Sequence, residues 1–155
     1  MIYILYLALF IVSDRLTKYL AVKYLMPIGS AKVLDGIFNL TYVENKGVAF
    51  GLFQNMHNII VPVNILIVAL CVYFMIKALK NNKKLFAFSL VLIISGAIGN
   101  IIDKICYGYV VDFLEFAFIN FPVFNVADIC VCIGAFLAAI IILFTKDGDV
   151  FGSNK

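Results

Sequence analysis

A chain of 155 residues that is 65% hydrophobic and 14% charged, with a mean hydropathy of +1.09, is too apolar for a soluble globular domain and has the composition of an integral membrane protein. Its formal charge of +3 comes mostly from scattered lysines, which argues against nucleic acid as a partner. The lone His57 excludes an HExxH zinc protease, and Cys71, Cys106, Cys130 and Cys132 form no CxxC pair; they read as small apolar residues.

A hydrocarbon core of about 30 Å takes roughly 20 helical residues. Residues 2–25, 58–79, 85–102 and 124–144 meet that requirement, which predicts one membrane-embedded domain over 1–155, mainly α, with four transmembrane helices. The first stretch is apolar to Val12 and then carries Asp14, Arg15 and Lys18. It lacks a basic flank and a small-residue cleavage site, so it reads as a retained helix rather than a signal peptide. In the long connection that follows, Phe38, Leu40 and Tyr42 alternate with Asn39, Thr41 and Val43, the period of a half-buried strand. NKG (45–47) offers turn chemistry and VAFGLF (48–53) a returning strand, so a small β element is expected on the membrane surface. KNNKK (80–84) is a short basic hinge between the second and third spans. The third connection, 103–123, is expected to be an aromatic loop at the interface, with Tyr107, Tyr109, Phe113, Phe116 and Phe118.

Alternating spans place Asp14 and Lys18, Asn100 and Asp103, and Asn125 and Asp128 at one membrane face, together with both long loops. Lys77, Lys80, Lys83 and Lys84 lean the hinge toward the cytoplasm and the polar face outward. Over the whole chain the twelve Lys and Arg divide evenly between the two faces, so the lean rests on the hinge alone.

Two carboxylates stand in apolar surroundings. Asp128, in FNVAD, has a plain structural reading: Asn125 caps the fourth helix, and an acid three residues on meets the positive helix terminus. Asp112, in VVDF, has no helix start to explain it, and an ionisable group at membrane depth points to function. Asn100 and Asp103 share one helical face, and an acid at a helix C-terminus requires a partner, for which Lys18 from another span is a candidate. Asp14 and Lys18, at i and i+4, can pair; Arg15 lies off that face and reads as snorkelling, and Glu44 and Glu115 as solvated loop charges. If Asp112 folds back over the mouth of the fourth span, the two acids can share a water. One stays protonated beside its ionised neighbour; the anion takes a proton from water while the acid polarises a scissile carbonyl. Ser13, Ser89 and Ser95 have no base at helical spacing, and no GxGD motif is present.

In order along the chain, DRLTK (14–18), NKGVAFG (45–51), SGAIGNIIDK (95–104), VVDF (110–113) and FNVAD (124–128) resemble the five motifs of the bacterial lipoprotein signal peptidase (type II signal peptidase) family. The resemblance implies an aspartic endopeptidase that removes the signal peptide from diacylglyceryl-modified prolipoproteins, cutting before the lipidated cysteine. It implies Asp112 and Asp128 as the catalytic dyad. Asn45, Gly47, Asn100, Asp103, Lys104 and Asn125 would support the dyad and substrate, and Asp14 and Lys18 would brace the site. It further implies an outward-facing site in the bacterial cytoplasmic membrane, cytoplasmic termini, contact with membrane lipids, function as a monomer, and neither metal nor organic cofactor. Arg15 stands where the family often has Gln, and Lys104 where it usually has Arg, whose planar fork grips carbonyls as lysine does not.

A small ion-coupled transporter is the rival reading, with Asp14, Asp103, Asp112 and Asp128 as the ion ligands. It predicts carboxylates at the bilayer midplane and broken helices, against carboxylates gathered at one face on unbroken spans. A non-catalytic assembly subunit would leave Asp112 unexplained.

Overall fold

The computed structural model describes residues 1–47 and 57–145. Helix α1 (Ile2–Leu20) closes in a single π-helical turn, Ala21–Leu25. Strands β1 (Ser30–Leu34) and β2 (Phe38–Asn45) precede α2 (His57–Lys80) and α3 (Lys84–Tyr107). Strand β3 (Val110–Phe116) and α4 (Val126–Phe144) follow. The stretches Ile59–Lys80, Lys84–Tyr107 and Val126–Phe144 are long and apolar enough to cross a membrane. Helix α1 has 19 residues but interrupts its apolar run with Asp14, Arg15 and Lys18.

Helix α3 is the central post, packed against α1, α2 and α4. Ala87, Leu90 and Ile94 of α3 bury against Ala78 of α2 and Ala138 and Ile141 of α4. In lipid no hydrophobic force drives helices together, so close backbone approach must do it. Gly134 supplies that approach: a Cβ there would lie 2.7 Å from the Ser89 carbonyl oxygen on α3. Helix α1 inverts the pattern of a soluble helix. Its buried residues are Asp14 and Lys18, while Leu5, Leu9, Val12 and Leu16 face outward. The polar side of this helix is the one turned to protein.

The three strands form one antiparallel sheet in the order β1-β2-β3. Ser30 pairs with Thr41 and Leu34 with Phe38; on the other edge Leu40 pairs with Leu114, Val43 with Asp112 and Asn45 with Val110. Val111 and Phe113 bury with Ala21 and Leu25, so the sheet sits on the end of α1. This corrects one expectation, the aromatic loop. The described partners of residues 38–45 are β1 and β3, whereas VAFGLF lies outside the described residues. The connection expected as an aromatic loop over 103–123 begins inside α3, which runs to Tyr107, and its middle is strand β3: the β-branched valines and the alternating Val111, Phe113 pattern fit a pleated surface, and Gly108 (φ 79°) breaks α3 just before it. Glu115 is therefore no free loop charge; on β3 it accepts from Asn39 Nδ2 (3.2 Å) and from the Thr41 hydroxyl across the sheet. From the end of β3 the rings of Phe116, Phe121 and Phe124 cluster in tilted and edge-on contacts, with Phe116 and Phe124 centroids 5.1 Å apart.

Candidate active site

The C-terminal ends of α1 and α3, the N-terminus of α4 and strand β3 meet at one end of the bundle. Helix α4 begins with Asn125 as N-cap: its Oδ1 accepts from Asp128 N (2.9 Å), and Asp128 Oδ2 accepts from Asn125 N (3.1 Å). This reciprocal capping box fixes both side chains. The plain helix-cap reading of NVAD is thus geometrically correct, yet it leaves the rest of the Asn125 amide free to act. Its Nδ2 donates to Asp112 Oδ1 at 2.6 Å, reaching from α4 to β3. One asparagine therefore ties the two carboxylates together.

Each remaining carboxylate oxygen has its own donor. Asn45 Nδ2, at the end of β2, reaches Asp112 Oδ2 at 2.9 Å, and Asn100 Nδ2 on α3 reaches Asp128 Oδ1 at 2.8 Å. Asn45 Oδ1 in turn accepts from Gly47 N (3.0 Å). Asp112 is 1% exposed. Burial lifts its carboxyl to about 7, the charge of Asp128 pushes the same way, and the Asn45 and Asn125 hydrogen bonds and the Lys18 charge oppose the rise. A carboxyl poised near neutrality beside a second carboxylate is what acid–base chemistry on water requires.

Below the pair lies an ion cluster. Lys18 Nζ is 3.1 Å from Asp14 Oδ2, 2.9 Å from Asp103 Oδ2 and 2.8 Å from Asn100 Oδ1. Lys18 is thus the cationic partner that an acid at the C-terminus of α3 requires. Asp103 Oδ2 also accepts from Val111 N (3.2 Å), which holds β3, and Asp14 Oδ1 from Ala127 N (3.1 Å), which holds α4. Gly99 leaves room for this: a Cβ there would fall 2.5 Å from Asp14 Oδ2.

Arg15 was expected to snorkel and does not. Its guanidinium lies 2.6 Å from Asp103, 3.1 Å from Asp14 and 3.2 Å from the Gly99 carbonyl. The physical reason is charge balance: two buried carboxylates need two cations, and Lys18 supplies only one. Counting charges at that face would have found it, since Arg15 follows Asp14 directly. Lys104 turns away from this cluster and donates to the Gly47 carbonyl, tying α3 to the turn after β2.

Comparison with known proteins places the chain in a family. The model of the signal peptidase (SPase) II family matches residues 6–144. The lipoprotein signal peptidase of Caldanaerobacter subterraneus subsp. tengcongensis is 45% identical over 142 residues, covering 91% of this chain and 95% of that one. The lipoprotein signal peptidase of Clostridium acetobutylicum is 40% identical over 153 residues, with 95% and 99% covered. A bacterial membrane enzyme solved by the in meso method at 2.3 Å superposes with a TM-score of 0.81 at 32% identity, covering 99% of this chain and 93% of its own. The chain belongs to the signal peptidase II family.

Proposed function

We propose that this protein is an aspartic endopeptidase of the bacterial cytoplasmic membrane that removes the signal peptide from diacylglyceryl-modified prolipoproteins, cutting before the lipidated cysteine. The observation that carries the reading is the Asn125 side chain and backbone holding Asp112 (2.6 Å) and Asp128 (3.1 Å) on the same residue. Two carboxyls held on one residue oppose each other's ionisation, so the pair keeps one proton. The ionised member takes a proton from a water between them; that water attacks the scissile carbonyl while the protonated member donates to the carbonyl oxygen. Collapse of the tetrahedral intermediate then passes a proton to the departing amine, and the dyad returns to its starting charge. Asn45, Asn100 and Asn125 hold the carboxyls, Asp103 and Asp14 anchor β3 and α4 to the site, and Lys104 braces the turn at Gly47.

In this reading α1 is the fourth membrane span, the domain works as a monomer bathed in membrane lipid, and the site opens outward with the termini in the cytoplasm. The basic hinge between α2 and α3 supports that orientation. A lipidated precursor already lies in the bilayer, so a site at the interface beneath the sheet can receive it sideways. The rings around Phe116 and Phe124 would cover the site from water.

Cleavage of a diacylglyceryl-modified prolipoprotein by the purified protein in lipid tests the proposal, beside Asp112→Asn and Asp128→Asn. Both variants are expected to fold and to lose activity by about a thousandfold or more. Undiminished cleavage by either would remove that residue from the chemistry.

A further inference from the structure

We infer that Lys18 is a positioning residue for the aspartate pair, acting through Asn100, whose amide it holds in the one orientation that donates to Asp128. The inference rests on the reading of Asp112 and Asp128 as the dyad. An asparagine amide is nearly symmetric in shape but not in chemistry, since one end accepts and the other donates. Turned over, Asn100 would present a carbonyl oxygen to a carboxylate and lose the hydrogen bond it now makes to Asp128 Oδ1 at 2.8 Å.

What decides the orientation differs among the three asparagines at the site. Asn45 Oδ1 is taken by Gly47 N and Asn125 Oδ1 by Asp128 N, both main-chain donors. Among the described residues, Asn100 Oδ1 has no main-chain donor. It faces Lys18 Nζ at 2.8 Å and, more distantly, Asn125 Nδ2 at 3.2 Å, a donor whose shorter bond goes to Asp112. An ammonium can only donate, so it fixes the amide outright. Lys18 is itself held between Asp14 and Asp103, at 3.1 Å and 2.9 Å, and is 3% exposed. The ion cluster thus sets the polarity of a neutral residue one step nearer the chemistry.

Losing that polarity weakens support for the ionised dyad. The charged groups around Asp128 are Asp112 from β3 and Lys18 and Asp14 from α1, with Asp103 of α3 and Arg15 closing the ion pairs. Removing Lys18 therefore acts in two ways: it frees the Asn100 amide, and it removes a positive charge. A double-mutant cycle separates them.

The experiment measures kcat and KM against pH for the full chain in lipid, with a diacylglyceryl-modified prolipoprotein as substrate. The proteins are wild type, Lys18→Met, Asn100→Ala and the double variant. Lys18→Met is expected to lower kcat by about tenfold or more, leave KM within about twofold, and move the acidic limb of the profile to higher pH. In the Asn100→Ala background the same change is expected to add less than about a factor of two. An undiminished Lys18→Met effect there would overturn the inference, because the lysine would then act without the amide. Should Lys18→Met fail to fold, Asn100→Asp decides. It keeps an oxygen for Lys18 but deletes the amide donor, so it is expected to be as slow as Asn100→Ala, and a near wild-type rate would refute the lock. Asp112→Asn and Asp128→Asn in the same assay keep the two readings apart. Activity in either refutes the dyad, whereas two inactive variants with an additive cycle refute only the role of Lys18.

Discussion

Asp112 combines near-complete burial with a carboxyl lifted to about 7, and that has a cost in stability. In the unfolded chain the same group loses its proton near about 3.9. Between about pH 4 and 7 the folded protein therefore keeps a proton that the unfolded chain has released, and stability falls as pH rises through that window. Above about 7 the full cost of ionising a buried carboxyl is present. Asp112→Asn removes it, so relative to wild type the variant should gain thermal stability from about pH 4 to 7 and level off above that. A pH-independent difference in melting temperature would contradict this. Cleavage itself should decline above about pH 7 as the dyad loses its shared proton. Both carboxylates stood out in the sequence because each interrupts an apolar run with no nearby cation. Arg15 did not, because it lies off the Asp14–Lys18 face of its helix, and the need for a second cation shows only when Asp103, 88 positions away in sequence, is counted with Asp14.

Helices α2, α3 and α4 were legible because about 20 apolar residues between polar breaks leave few alternatives. Strand β2 was legible too, in the alternation over residues 38–43, but β1 and β3 were not. SAKVL is short and almost wholly exposed, so it has no buried face to print a period on the sequence, and VVDFLEF hides its alternation behind an acid placed for the site. The packing of α4 on α3 depends on Gly134, where Ser89 O, Ile93 and Leu92 leave no room for a side chain. Gly134→Val should cost about 1–3 kcal/mol by overpacking. It should also slow cleavage, since the start of α4 carries Asn125 and Asp128. Thermal unfolding and turnover measured together test this; a variant that loses activity with unchanged stability would mean that the glycine matters in some other way.

At the scale of the whole molecule, the polar residues of α1, α3, β3 and α4 collect at one end, and the lysine-rich hinge lies at the other. Cys106, exposed at the end of α3, marks the first face, and Asn82, in the turn between α2 and α3, the second. A membrane-impermeant thiol reagent added to intact cells should label Cys106. In a Cys106→Ala background, Asn82→Cys should react only after the cells are opened. The reverse pattern would place the site in the cytoplasm.

The hydrogen bond from Ala127 N to Asp14 joins residues 113 positions apart, and Asn45, Asn100 and Asp112 fall between them in sequence. Every part of the site therefore waits on α4. A chain still being made holds Asp14, Lys18 and Asp103 ready while neither the last carboxyl nor its asparagine has left the ribosome. If Asp128 is half of the dyad, such a chain lies among precursors in the same membrane without cutting them. On the proposed dyad, competence waits on the synthesis of α4, because the contacts that build the site reach back to the first helix.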